Sequence, residues 1–295
     1  MRGVSMLKRI PTVAAIILFL GCQVLSAQWQ RVISYGADLS PEDRVSVVRD
    51  FALPSDVDPG QIPTITVNHA EETRLLSPVA PPEVIGTRAV SSVYIEGSNQ
   101  GEGLRISTKN TTWVTPAMYA NALATAGVRD ALVIVTAPTA VSGTAALAGI
   151  FKSYAVLTGR ALTPGAQEAA VDELIGTGEL GQVYGQDQAV RFMHAAKEEV
   201  VGSQAASAET IRPIVERVAR EQNLNLTVVQ IQRVTEVMIR LSKLNLKPAD
   251  LQTQLKNFAE QVQKPGGTSG LIARIIAFLQ SIFKQLTGFV GRLFR

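Results

Sequence analysis

Ala131-Leu132-Val133-Ile134-Val135 is an unbroken apolar run, short enough for one strand and of the kind buried on both faces of a sheet. Helices are predicted on either side of it. Thr115-Pro116 opens one that continues through Ala126, and Ser142 caps another from Gly143 to about Leu157. Upstream, Val90 to Glu96 and Leu104 to Thr108 alternate around the polar stretch Gly97-Ser98-Asn99-Gln100-Gly101-Glu102-Gly103, which predicts a hairpin with a long tip. Ile62 to Val67 is rich in β-formers, and Asn68 with Glu71 has the spacing of a capping box, so a strand should feed directly into a short helix ending near Leu76. Earlier still, Ser40-Pro41-Glu42-Asp43 starts a helix whose apolar residues are Val45, Val47, Val48 and Phe51. The order strand, helix, strand, strand, helix, strand, helix is compatible with a ferredoxin-like split βαβ sheet.

Beyond Pro164 no strand signal follows. Helices are predicted over 165–175, 187–201, 208–222, 227–245 and 248–263, the last two carrying the stripes Val234, Val237, Met238, Leu241, Leu244 and Leu251, Leu255, Phe258, Val262. Short connections make them antiparallel neighbours. The fold class is therefore α+β, with an α/β-like sheet domain over 28–160 and an all-helical bundle over 161–264.

The charge is divided unevenly. The 295 residues hold 28 Lys and Arg against 25 Asp and Glu, and the sequence pI is about 9.1. Three of the bases (Arg2, Lys8, Arg9) lie in 1–27 and four (Arg274, Lys284, Arg292, Arg295) in 270–295, two segments without any acid. That leaves 21 bases against all 25 acids between 28 and 269, a formal −4. An acidic body without a stripe of bases among aromatics excludes nucleic acid as the expected partner.

Residues 1–27 read as an export signal: a basic start ending in Lys8-Arg9, an apolar run from Val13 to Leu20, and Leu25-Ser26-Ala27 before Gln28. Cleavage after Ala27 removes the single cysteine. Phe19-Leu20-Gly21-Cys22 also resembles a lipobox, with lipidation at Cys22 as the second fate and an uncleaved anchor as the third. Each sends the body across a membrane, to the extracellular face or beyond. At the other end Pro265-Gly266-Gly267-Thr268-Ser269-Gly270 forms a linker over 265–270, and 271–295 places apolar residues three and four apart. Phe278, Ile282, Phe283, Phe289 and Phe294 belong to its apolar side, and Arg274, Lys284 and Arg292 to its cationic side. Such a helix suits an anionic membrane surface or other cell-envelope component. It equally suits packing on the body, or on its copy in a homo-oligomer.

Chemistry-bearing motifs are few. One cysteine and two histidines exclude a disulfide framework and a Cys-rich zinc site, and no cofactor is implied. Gly176-Thr177-Gly178-Glu179-Leu180-Gly181 is a literal GxGxxG, but its context is helical and without a preceding strand, so a glycine-rich turn between helices explains it. His69 and His194 are isolated, and Asp172-Glu173 and Glu198-Glu199 read as solvated charges on helix faces. The best ligand candidate is Ser142-Gly143-Thr144, where amides at a helix start after a buried strand could hold a carboxylate or phosphate.

Thr66-Val67-Asn68-His69-Ala70-Glu71-Glu72, the stretch from Ile85 to Tyr94, Thr112-Trp113-Val114-Thr115, Met118 to Leu123 and Val141 to Leu147 together resemble the YpuA-like secreted proteins, the domain-of-unknown-function family numbered one thousand and two. The resemblance spans roughly 36 to 264 and implies an exported, extracellular or cell-surface protein. It brings no catalytic residues. The leading expectation is an exported, non-catalytic binding or surface-associated module with a terminal attachment helix. The alternative is a secreted enzyme of unknown chemistry with its site near Ser142 to Thr144.

Overall fold

The structure, a computed structural model, describes residues 30–254. The expected export signal with Cys22, the end of the helix expected over 248–263, the glycine linker and the cationic segment containing Arg274, Phe278, Ile282, Phe283, Lys284, Phe289, Arg292 and Phe294 lie outside the described residues. The order of elements is β1 (Arg31–Gly36), α1 (Pro41–Asp50), β2 (Thr64–Val67), α2 (His69–Leu76), α3 (Pro82–Ile85), β3 (Ser92–Gly97), β4 (Leu104–Thr108), α4 (Pro116–Ala126), β5 (Ala131–Thr136), α5 (Ala146–Thr158), α6 (Pro164–Tyr184), α7 (Gln186–Ser203), α8 (Ala208–Glu221) and α9 (Val228–Ser242). The class is α+β as expected: a mixed sheet, then helices.

The sheet runs β2-β1-β3-β5-β4, with β1 parallel to β2, β4 parallel to β5, and β3 antiparallel to both of its neighbours. Two expectations are corrected here. The expected hairpin of β3 and β4 does not form, because β5 lies between them. The split βαβ order fails with it, and β1, to which the sequence reading assigned no strand, sits next to the centre of the sheet. The reason is burial. Ala131 to Val135 has no polar face and needs a neighbour on each side, whereas β4 alternates buried Leu104 and Ile106 with exposed Arg105 and Ser107 and can take the edge. The segment from Gly97 to Gly103 therefore crosses the start of β5 rather than turning back. It is pinned there by Asp130, whose Oδ1 accepts from the Gly101 and Gly103 amides at 3.0 and 2.8 Å.

Register aligns Val32, Ile95, Val133 and Ile106 as one buried row across the sheet. That face is covered by α4 and α5. Helix α5 lies close because Gly149 has no side chain: a Cβ there would come within 2.9 Å of Ser34 Oγ. The opposite face, with Ile33, Tyr94 and Ile134, packs on Val47 of α1 and on Phe51 and the loop that follow it.

Helix α6 belongs to two cores. Ala170, Val171, Leu174 and Ile175 join the sheet's core, while Leu180 joins a second one formed with α7, α8 and α9. It is 21 residues long and passes straight through the GxGxxG, so the expected end at 175 and the turn are both corrected. Glycine inside a helix costs about 1 kcal/mol relative to alanine. At Gly178 packing demands it, since a Cβ would lie 2.1 Å from the Trp113 ring, whereas at Gly181 a Cβ would meet only the movable end of the Gln186 side chain, at 2.2 Å.

Candidate functional site

The two parallel pairs bring the carboxyl ends of β1, β2, β4 and β5, and the start of β3, to one rim of the sheet. In open sheets with parallel strands that rim is the usual place for ligands. Most of the phrases that carry the family resemblance lie along it: Thr66 to Glu72 leads from β2 into α2, Ile85 to Tyr94 enters β3, and Val141 to Leu147 follows β5. Gly36 meets Ala89 so closely that a Cβ would stand 2.2 Å from its carbonyl oxygen. Asp38 accepts from the Ala89 amide at 2.7 Å, and Arg88 donates to the Asp38 carbonyl at 2.9 Å. The Asn68 and Glu71 capping box is present with both of its bonds, at 2.9 and 3.0 Å.

The Ser142-Gly143-Thr144 candidate is on this rim, but its side chains face inward. Ser142 Oγ and Thr144 Oγ1 both donate to the Val84 carbonyl, at 2.7 and 2.8 Å, and the Tyr119 hydroxyl donates to the Gly143 carbonyl. Ser142 is not the helix cap. Helix α5 begins at Ala146 after a tight turn, with no side-chain cap. The hydroxyls fasten the loop after β5 to the end of α3.

At the start of α2, which follows β2 at the same rim, is a feature that the sequence reading missed. Glu72 is 1% exposed, and its Oε2 lies 3.7 Å from His69 Nδ1. His69 Nε2 stands 3.4 Å from Thr73 Oγ1. Neither His69 Nδ1 nor Glu72 Oε2 has a hydrogen bond among the described residues. Burial, reinforced by the charges of Asp38 and Glu71, pushes the Glu72 carboxyl up to about 8. A carboxyl so placed can take up and release a proton near neutral pH. His69 with Glu71 and Glu72 was visible as a sequence neighbourhood, but the approach of Asp38 comes only from the fold.

On the outer side of α2 opens a cleft of about 440 Å³, walled by α2, α5 and the start of α6. Phe151 and Leu162 line it together with Val67 and Leu75. Lys152 donates to the Thr66 carbonyl at 2.8 Å and to Glu71 Oε1 at 2.6 Å, which holds the Glu71 carboxyl below its ordinary value. Arg74, Gln167 and Glu168 complete the polar lining; Gln167 Nε2 donates to the Leu162 carbonyl at 2.9 Å, and neither Arg74 nor Glu168 has an ion pair or side-chain hydrogen bond among the described residues.

The carboxylates Asp172 and Glu173 are not solvated, which corrects the expectation from helix faces. Because α6 is packed on several sides, Asp172 is 1% and Glu173 0% exposed. Arg233 and Arg240 hold Asp172 at 2.6 and 2.8 Å. Glu173 takes Lys197 Nζ at 2.8 Å and the Thr125 hydroxyl at 2.5 Å, and Lys197 also donates to Thr125 Oγ1 and the Asn121 carbonyl, both at 3.1 Å. His194 lies 3.4 Å from Glu198 on α7. No group of three or more His, Cys, Asp or Glu among the described residues could hold a metal ion, and no helix among them is long and apolar enough to cross a membrane.

Residues 35–258 match the family described as "Protein of unknown function (DUF1002)". The chain belongs to that family. It is 32% identical over 259 residues to the "Uncharacterized protein YpuA" of Bacillus subtilis (strain 168), an alignment covering 86% of this chain and 88% of that protein. No solved structure matches the chain. The description of this family names no activity.

Proposed function

We propose that the chain is an exported, non-catalytic binding module that works at the cell envelope, held on an anionic surface by the cationic amphipathic segment 271–294. The observation that carries this reading is the partition of charge: after the export signal, a body of formal −4 is followed by an acid-free segment of +4 beyond a glycine-rich linker. A cationic face opposite an apolar one is drawn to anionic lipid and held there by buried apolar area. The open cleft beside α2 supports binding as the task of the body, since small-ligand sites are concave, largely apolar and carry a few placed polar groups. The inward hydrogen bonds of Ser142 and Thr144 give no support to a nucleophile at that helix start.

The full chain should float with vesicles containing anionic phosphatidylglycerol and stay in solution with purely zwitterionic ones. Deletion of 270–295 should abolish flotation. Light scattering on the same pair distinguishes lipid attachment from self-association: a drop in mass on deletion, with flotation unchanged, would replace the surface by a second copy of the chain.

A further inference from the structure

The cleft beside α2 has an uneven polar lining. On its α2 side Glu71 and Lys152 neutralise each other, and the Lys152 ammonium is fixed by two acceptors with its third N–H to spare. Arg74, one turn along from Glu71, adds to that side a cation without an ion pair among the described residues, and Glu168 at the start of α6 supplies an anion equally without one among them. Between them lies an apolar floor with Phe151 and Leu162, and the volume of about 440 Å³ is that of a small-molecule or short-peptide site.

We propose that this cleft binds the carboxyl-terminal end of a short apolar peptide, a reading that builds on the binding role proposed above. The terminal carboxylate sits on Arg74 and the spare Lys152 N–H, the apolar side chains lie on Phe151 and Leu162, and the peptide's N–H groups face Glu168. Charge-assisted bonds from a guanidinium to a carboxylate are short and directional, which suits the capture of a chain end. A fatty acid would satisfy Arg74 and the floor equally well. It would, however, leave the exposed Glu168 carboxylate without a donor from the ligand, whereas a peptide brings N–H groups to it, and that favours the peptide.

The test is calorimetric titration of the full chain with the tripeptide Ala-Leu-Phe as free acid and as carboxyl-terminal amide, followed by competition with dodecanoate. The free acid should bind, and the amide should bind roughly tenfold more weakly, the loss expected for one charge-assisted interaction. Arg74→Gln, at an exposed position, should erase the difference between acid and amide. Glu168→Gln should weaken both forms alike. Equal binding of acid and amide, no binding of either, or displacement of the peptide by dodecanoate at lower concentration would each overturn the proposal, the last in favour of a lipid. Deleting 270–295 leaves every wall of the cleft in place, so peptide binding survives it, and the outcome stays separate from that of the flotation test.

Discussion

Among the described residues two buried glutamates, Glu173 and Glu72, are treated in opposite ways. At the junction of α4, α6 and α7, Glu173 meets Lys197 with every ammonium proton given an acceptor and both carboxylate oxygens given a donor. At the rim of the sheet Glu72 is just as buried, but one oxygen is left without a partner, 3.7 Å from a histidine nitrogen. The closed arrangement locks helices together and has no chemistry to offer. The open one stores a proton that the protein can lose. Burial is common to both carboxyls, and what differs is how completely each is paired.

The sharpest way to break this comparison is to open the closed cluster. Lys197→Met leaves Glu173 buried without its counter-charge and should cost about 3–5 kcal/mol in urea unfolding. Lys197→Met combined with Glu173→Leu should recover most of that, because no lone charge remains. A single variant costing less than about 1 kcal/mol would mean that the cluster is not closed as described.

The rim should show itself through pH. The Glu72 carboxyl is raised in the folded chain, to about 8 from the ordinary 4.5, so the native state holds its proton where the unfolded state has lost it. Stability from this group is complete below the unfolded value and falls as pH rises through about 8, by an amount on the order of 2–4 kcal/mol. Glu72→Gln, which cannot ionise, should flatten the fall between pH 5 and 8 in a series of urea titrations. An unchanged slope would place the titrating group elsewhere.

The two sites were unequally legible in the sequence. Local signals carried well: the Ser40 and Asn68 capping boxes, the Pro at the first turns of α1 and α4, and the apolar β5 are all where their residues require. What failed was nonlocal. The partners of β3 depend on β1, a strand whose Ser34 interrupts the apolar pattern, and on β5, which arrives thirty residues later in the chain. Asp172 and Glu173 look like surface charges until α4, α7 and α9 enclose α6, and Ser142 looks like a cap until the Val84 carbonyl takes its hydroxyl. The cleft left no motif at all, since its walls come from three separated segments.

The seam between the rim and the helices gives the smallest and most discriminating effect. Trp113, in the loop that follows β4, lays its ring on the backbone of α6 at Gly178. Two physical terms oppose each other there. Alanine in a helix interior is favoured over glycine by about 1 kcal/mol. A methyl group 2.1 Å from an aromatic ring, by contrast, forces the indole or the helix to move, an overpacking cost of about 1–3 kcal/mol. Gly178→Ala should therefore destabilise despite its better propensity. Adding Trp113→Leu should reverse the sign of the Gly178→Ala effect, because the propensity gain remains once the ring is gone. If Gly178→Ala stabilised the chain with Trp113 in place, the ring would not rest on α6, and the glycine-rich run would have to owe its glycines to something other than this contact.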